Sequence, residues 1–179
     1  MLILAASDIH GSAKYTEELI RAFEREGADR LLLLGDVLYH GPRNYLPSRY
    51  DPMEVVHLLT PFSEKTICVK GNCDAEIDEL VLPFPVLPSI AILHPSGRMI
   101  FAEHGHRFEG SRPPVREGDI HLCGHTHMPE YKRVDNYIRC NPGSVSLPKG
   151  DTERGYILIT DSALVWKTLD GEEYMRTAL

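Results

Sequence analysis

Positive charge is in short supply in this chain. Its 19 lysines and arginines face 26 aspartates and glutamates, a net charge of −7 with histidine neutral. Bulk binding to duplex nucleic acid needs a cationic footprint, so that class is excluded. A phosphorylated substrate is not excluded, because a bound cation can supply positive charge locally. Cysteine is sparse too. The four present (Cys68, Cys73, Cys123, Cys140) show no C-x-x-C spacing, which argues against a disulfide framework or a structural zinc site. Long apolar runs are missing, and none approaches the roughly 18 residues of a membrane span. Met1-Leu2-Ile3-Leu4-Ala5-Ala6-Ser7-Asp8 lacks a basic start and turns polar too early for a signal peptide. We therefore expect a cytoplasmic protein with no membrane partner.

What is present is an ordinary globular composition, 42% hydrophobic and 25% charged over 179 residues. That length suits one domain spanning 1–179, able to bury about 70% of the surface its unfolded form exposes. Histidine is the exception: there are nine, several in tight pairs.

The first half alternates short apolar runs with amphipathic stretches. Leu2–Ala6, Leu31–Leu34 and Thr66–Val69 read as strands. Between them, Ser12–Glu26 reads as a helix with Tyr15, Leu19, Ile20 and Phe23 on one face, Glu17 paired to Arg21, and Gly27 ending it. A second, short helix starts at Asp51-Pro52, after a Gly/Pro/Arg-rich loop over Tyr39–Pro52. This β-α-β-α-β order favours parallel pairing. The second half reads as strands: Ser89–Leu93 and Arg98–Ala102 around a hairpin turn at His94-Pro95-Ser96-Gly97, then Ile120–Cys123, Tyr131–Val134, Tyr137–Cys140, Tyr156–Thr160 and Ala163–Thr168. The fold class expected is α/β: two packed mixed sheets forming a sandwich, flanked by helices.

Five of these strands release a polar side chain at their C-terminal ends. Asp8 and His10 follow the first, Asp36 the second and Asn72 the third; His104 follows Ile100–Ala102, and His125 and His127 follow Ile120–Cys123. In open α/β sheets ligands bind beyond those strand ends. Two Asp, one Asn and four His exceed what one catalytic ion takes, since such an ion holds about three protein ligands and keeps a place for water. They suit two ions about 3.5–4 Å apart bridged by a carboxylate. Imidazole and oxygen donors without thiolate point to Mn, Fe, Zn, Ni or Co rather than Ca or Mg; donor type does not choose among them, and Mn is the ion expected first. Asp8 and His10 are alternate residues, so only a tight turn lets both face one ion.

Taken in order, Asp8-Ile9-His10, Gly35-Asp36, Gly71-Asn72-Cys73-Asp74, His104-Gly105 and Gly124-His125-Thr126-His127 resemble the calcineurin-like metallophosphoesterase superfamily. Its pattern is D-x-H, G-D, G-N-H-(D/E), a His, and G-H-x-H. Gly71-Asn72-Cys73-Asp74, His40-Gly41-Pro42-Arg43-Asn44 and Asn141-Pro142-Gly143-Ser144 are similar, more narrowly, to the small YfcE-type phosphodiesterase branch. The resemblance implies that Asp8, His10 and His127 hold one ion, that Asn72, His104 and His125 hold the second, and that Asp36 bridges them. It implies a small phosphorylated substrate and hydrolysis of a phosphodiester by a metal-activated hydroxide.

One position departs from the superfamily pattern. Cys73 stands where most members have the His credited with protonating the leaving group, and a thiol is a poorer acid for that task. Cys73, His106 and solvent are the candidates for that role. Asn72 is expected to ligate and also to touch a phosphate oxygen, Asp74 to orient a neighbouring His, and Arg43 and Asn44 to reach the substrate. Asn141–Ser144 is read chiefly as a turn, and His121 as structural. Two alternatives stay open: a phosphomonoesterase or nucleotide phosphatase, and a non-catalytic scaffold like the eukaryotic retromer subunit that resembles this branch. The Tyr45–Tyr50 segment suggests an apolar patch or a contact in a homo-oligomer.

Overall fold

Alternate residues of the first strand belong to different cores. Along β1 (Ile3–Ala6), Leu4 and Ala6 join one buried cluster while Ile3 and Ala5 join another. A strand covered on both faces must be apolar at every position, which is why Leu2–Ala6 reads as a run rather than an alternation. In the computed structural model, which describes residues 1–87, 89–108 and 110–179, these clusters are the two layers of a sandwich.

One cluster lies under the helices. In α1 (Ala13–Glu26), Thr16, Leu19 and Phe23 are buried on the inner face, Ser12 caps the N-terminus, and Gly27 closes the C-terminus in the left-handed region. Tyr15 and Ile20, expected on the same face, sit at its margin, half-buried. Glu17 does pair with Arg21 at 3.9 Å, but its closer partner is Arg49 at 2.8 Å. In α2 (Pro52–Leu59) the Asp51 carboxylate accepts from Glu54 N–H, as its N-cap position predicts.

The other cluster lies between two mixed sheets. The larger runs β12-β11-β10-β1-β2-β3-β4, with β2 (Arg30–Leu33), β3 (Thr66–Val69) and β4 (Val86–Leu87) parallel to β1, and with β10 (Gly155–Ile159), β11 (Ala163–Thr168) and β12 (Glu173–Ala178) antiparallel in turn. The smaller runs β5-β6-β7-β9-β8, from β5 (Ile90–Leu93), β6 (Ile100–Glu103), β7 (Ile120–Leu122), β8 (Pro129–Val134) and β9 (Tyr137–Pro142). The expected two-sheet sandwich with flanking helices is the observed fold.

The sequence pattern does not reveal three elements. β4 has two residues, α3 (Asp78–Val81) is a single turn, and β12 is an edge strand too exposed to show an apolar alternation. The His94–Gly97 turn is one turn of 3-10 helix over Pro95–Gly97 and joins β5 to β6 antiparallel, as expected. Among the described residues no helix is long and apolar enough to cross a membrane.

Candidate metal centre

The ends of β1, β2, β3, β6 and β7 meet at one rim, and the chain leaves them through strained turns. Asp8, His10, Asp36, His125 and His127 all have φ between 52° and 68°, in the left-handed region. They are five of the eight described non-glycine residues with positive φ; Asp and His tolerate this region better than most side chains, but still at a cost. Such strain, of order 1–3 kcal/mol per residue, persists only where the surroundings over-determine it. Here two tight turns, at 8–10 and 125–127, let alternate side chains face the same way.

Backbone bonds lock these turns together. His10 N–H donates to Asp36 O at 2.9 Å at the larger sheet and Gly124 N–H to His104 O at 2.8 Å at the smaller, while His125 N–H donates to the Asp8 carboxylate Oδ2 at 3.0 Å and joins the two sheets. Glycine is required at two of the crossings by close approach. A Cβ on Gly71 would collide with the carboxylate and N–H of Asp36, and one on Gly124 with the Ser7 side chain.

Each aspartate commits one oxygen to a backbone amide and leaves the other facing the rings. Asp8 Oδ1 is buried without a hydrogen-bond partner, 3.5 Å from His10 Nε2 and 3.4 Å from His127 Nε2. Asp36 Oδ1 accepts from Cys73 N–H at 2.8 Å, while Oδ2 lies 3.4 Å from His104 Nε2 and 3.8 Å from His10 Nε2. The imidazoles are oriented by carbonyls: Nδ1 of His10, His104 and His127 donates to Tyr39 O, Leu34 O and Leu147 O at 2.8, 2.7 and 2.6 Å. A carbonyl oxygen only accepts, so Nδ1 carries the proton and Nε2 of the neutral ring presents a lone pair.

Those lone pairs converge. His10 Nε2 and His127 Nε2 are 3.1 Å apart; His104 Nε2 is 2.9 Å from Asn72 Oδ1 and 3.3 Å from His125 Nδ1. Electron pairs held this close repel unless a proton or a cation stands between them. The field favours positive charge: against the effect of burial, the Asp8 contact raises the pKa of His10, and the Asp36 contact and Asp8 charge lift that of His104 to about 9. Burial likewise fails to raise Asp8, which the His10 and His127 contacts hold well below the usual carboxylate range. Nitrogen and oxygen donors that recruit protons this strongly are the donors a divalent ion displaces protons from. The residues present therefore fit metal ions. Short distances link Asp8 with His10 and His127, and His104 with Asn72 and His125; Asp36 reaches His10 and His104, and atoms of Asp8, Asp36 and His104 also lie within 4.8 Å of one another.

The remaining expected residues fall into place unevenly. Asn72, Cys73, Arg43 and Asn44 line a cleft of about 880 Å³ that opens on His125 and His127. Asn44 donates its amide to His40 O at 2.8 Å, so it also ties its own loop. Cys73 Sγ comes within 4.8 Å of donor atoms of His10 and Asp36. Burial and the Asp36 charge push the thiol up to about 12, so the protein's own field keeps it neutral. His106 stacks obliquely beside His104 and His125, its Nδ1 buried and unpartnered, and burial lowers its pKa.

Asp74 corrects the expectation that it orients a histidine. Its oxygens accept from Asp36, Val37 and Gly71 N–H at 2.8, 2.8 and 2.7 Å. It braces the Asp36 turn against the Gly71 turn, because the strand ends leave those buried amides without other acceptors.

Several supporting residues escaped the sequence pattern. Ser144 Oγ and Ser146 Oγ both donate to Asp8 O, and Asn141 Nδ2 donates to Gly124 O, so Asn141–Ser144 supports both strained turns; Asn141 and Pro142 end β9 rather than form the expected turn, because their backbone continues the ladder with β8. His121 is buried and pairs with Glu103 Oε1 at 2.8 Å, while Glu103 Oε2 accepts from Gly105 N–H, pinning the backbone on either side of His104. Lys149 also lines the cleft. The sequence signals for these were the Asn-Pro-Gly-Ser segment and the place of His121 among core residues of its strand; Glu103, Ser146 and Lys149 carried none.

The model of the calcineurin-like phosphoesterase superfamily domain matches residues 1–163. The chain belongs to that superfamily. It is 39% identical over 165 residues to Phosphodiesterase YfcE of Escherichia coli K12, covering 92% of this chain and 90% of the relative. A solved structure of Yfce, described as a phosphoesterase from E. coli, superposes with a TM-score of 0.94 at 38% identity, over 99% of each chain. The structure of wild-type Vps29 from Entamoeba histolytica, complexed with Zn, superposes with a TM-score of 0.63 at 22% identity over 99% of each chain, a likeness of fold alone. Membership of the superfamily implies divalent metal ions, in agreement with the donor set at the rim.

Proposed function

We propose that this chain is a cytoplasmic phosphodiesterase that hydrolyses small phosphodiesters with two divalent transition-metal ions, manganese foremost. Asp8, His10 and His127 hold one ion, Asn72, His104 and His125 the other, and Asp36 serves both. The observation that carries the reading is the convergence of imidazole Nε2 atoms on the two aspartates, in a chain similar to a named phosphodiesterase along most of its length. Divalent ions at such a centre acidify water and offset phosphoryl charge. The unit is the whole chain, 1–179, since β10–β12 complete the sheet that carries Asp8.

The chain's own residues then position and protonate. Asn72 Nδ2 lies at the cleft wall, 3.2 Å from Cys73 Sγ, available to a phosphate oxygen. His106 stands beside the donor set, and burial lowers its pKa, so its resting form accepts a proton; to protonate a leaving oxygen it must first take one up, for example from the attacking water. A neutral Cys73 thiol is a weak acid for the same task, so esters with good leaving groups turn over best. Cys73→His is expected to raise turnover of an alkyl phosphodiester about tenfold more than that of a nitrophenyl diester; equal effects on both contradict the role. Exposed Tyr45 and Leu46 on the 39–52 loop support a contact with a second copy.

The test is hydrolysis of bis(p-nitrophenyl) phosphate and of p-nitrophenyl phosphate by metal-stripped protein, resupplied in turn with Mn, Ni, Zn and Mg. Diester turnover restored by Mn or Ni, and exceeding monoester turnover, is expected. A monoester preference favours the phosphatase alternative, and no turnover with any ion favours the scaffold.

A further inference from the structure

The cleft is larger than its centre needs. Pockets of 300–1,000 Å³ take whole small molecules, and the cleft of about 880 Å³ extends from the donor set, which engages a single phosphoryl group, out to Pro42, Arg43 and Lys149. Two cations enter it from separate segments, Arg43 from the loop after β2 and Lys149 from the loop after β9. Among the described residues neither has a hydrogen-bonded or ion-paired carboxylate. The lining also carries Asp36 and Asp74, but both carboxylates are tied to backbone amides at the donor set, which leaves Arg43 and Lys149 as the cleft's uncommitted charges.

Both are placed by the site itself. Lys149 N–H donates to His127 O at 3.2 Å, two residues beyond Leu147, whose carbonyl orients the His127 ring. The loop that carries Arg43 packs on the opposite ligand group: a Cβ on Gly41 would meet Cys73 Sγ at 3.1 Å, next to Asn72. A charge count then shows what the pair adds. Two divalent ions against Asp8, Asp36, Asp74 and the attacking hydroxide leave no net charge, so one further cation suffices for the single charge of a phosphodiester. Lys149 and Arg43 exceed that requirement, and their point-charge and forked geometries both suit phosphate oxygens.

We propose that the preferred substrates are diesters of diphosphate, with Lys149 and Arg43 determining specificity by holding the phosphate that is not attacked. The inference rests on the phosphodiesterase reading above. The oxygen of water bonds to one phosphorus as the bond from that phosphorus to the bridging oxygen breaks. Two phosphate monoesters result, each retaining one proton of the water.

The experiment uses metal-reconstituted protein with ADP-ribose, which carries two phosphate charges, and bis(p-nitrophenyl) phosphate, which carries one. Lys149→Met and Arg43→Met are each expected to reduce kcat/KM at least tenfold more for ADP-ribose than for the nitrophenyl diester, chiefly through KM. Calorimetry supplies a readout that needs no turnover: each variant is expected to weaken binding of methylenediphosphonate at least tenfold more than binding of methylphosphonate. Equal losses on both substrates and both ligands, or wild-type protein that cleaves the nitrophenyl diester and leaves ADP-ribose intact, overturn the inference alone. Wild-type protein that cleaves neither substrate overturns the phosphodiesterase reading and the inference with it.

Discussion

Asp36→Asn is expected to lower kcat on bis(p-nitrophenyl) phosphate by at least about 10³-fold, the loss typical of removing a major electrostatic element from an active site. Asp36 Oδ2 lies within 4 Å of ring nitrogens from both ligand groups, 3.8 Å from His10 Nε2 and 3.4 Å from His104 Nε2. The amide is nearly isosteric, and an oxygen at the Oδ1 position still accepts from Cys73 N–H. What is lost is the negative charge shared by the two groups, so the variant should fold and bind fewer ions. Elemental analysis and kcat are measured on the same preparation. Activity within tenfold of wild type, with full ion content, contradicts the assignment of Asp36.

The second large effect falls on stability. Asp74→Ala removes the acceptors of three backbone N–H groups, on Asp36, Val37 and Gly71, in a buried turn. An unsatisfied buried donor costs about 1–3 kcal/mol, and water entering the gap recovers part of that. The expected loss is about 3–5 kcal/mol, a fall in Tm of roughly 8–15 °C for a chain of this length. Asp74→Asn keeps one acceptor oxygen and is expected to lose about half as much. Thermal melts of metal-free protein decide the matter, because a residue acting directly on substrate would lower turnover and leave these melts unmoved.

The contrast between Asp36 and Asp74 shows what the amino-acid pattern could carry. Asp8, His10, Asp36, Asn72, His104, His125 and His127 were visible as a set because each follows an apolar run that can only be a buried strand. Strand ends on one sheet edge are neighbours in space whatever the loops between them do. Asp74 has the same side chain as Asp36, two residues from Asn72, and nothing in the sequence says that its oxygens face backbone amides. That depends on Gly71 approaching Asp36 closely, a distance no periodicity encodes. Glu103 was hidden for a similar reason: its buried hydrogen bond to His121, itself read as structural, interrupts an apolar run on the adjacent strand without adding a motif. Ser144 and Ser146 lie 136 and 138 residues from the Asp8 carbonyl they hold, so their role exists only in the folded chain.

Fold followed the same logic. Strands buried on both faces, such as β1 and β10, announce themselves as continuous apolar runs. The edge strand β12, with Glu173 and Arg176 paired at 2.7 Å on its surface, has too little buried area to leave a pattern.

The central claim is that two cations share this rim. Protein stripped of metal and re-equilibrated with Mn, then freed of excess ion, should contain two ions per chain by elemental analysis, and anomalous scattering from crystals of it should show two peaks, one beside Asp8, His10 and His127 and one beside Asn72, His104 and His125, with Asp36 at both. A single peak, or retention of fewer than about one ion per chain, would contradict the account.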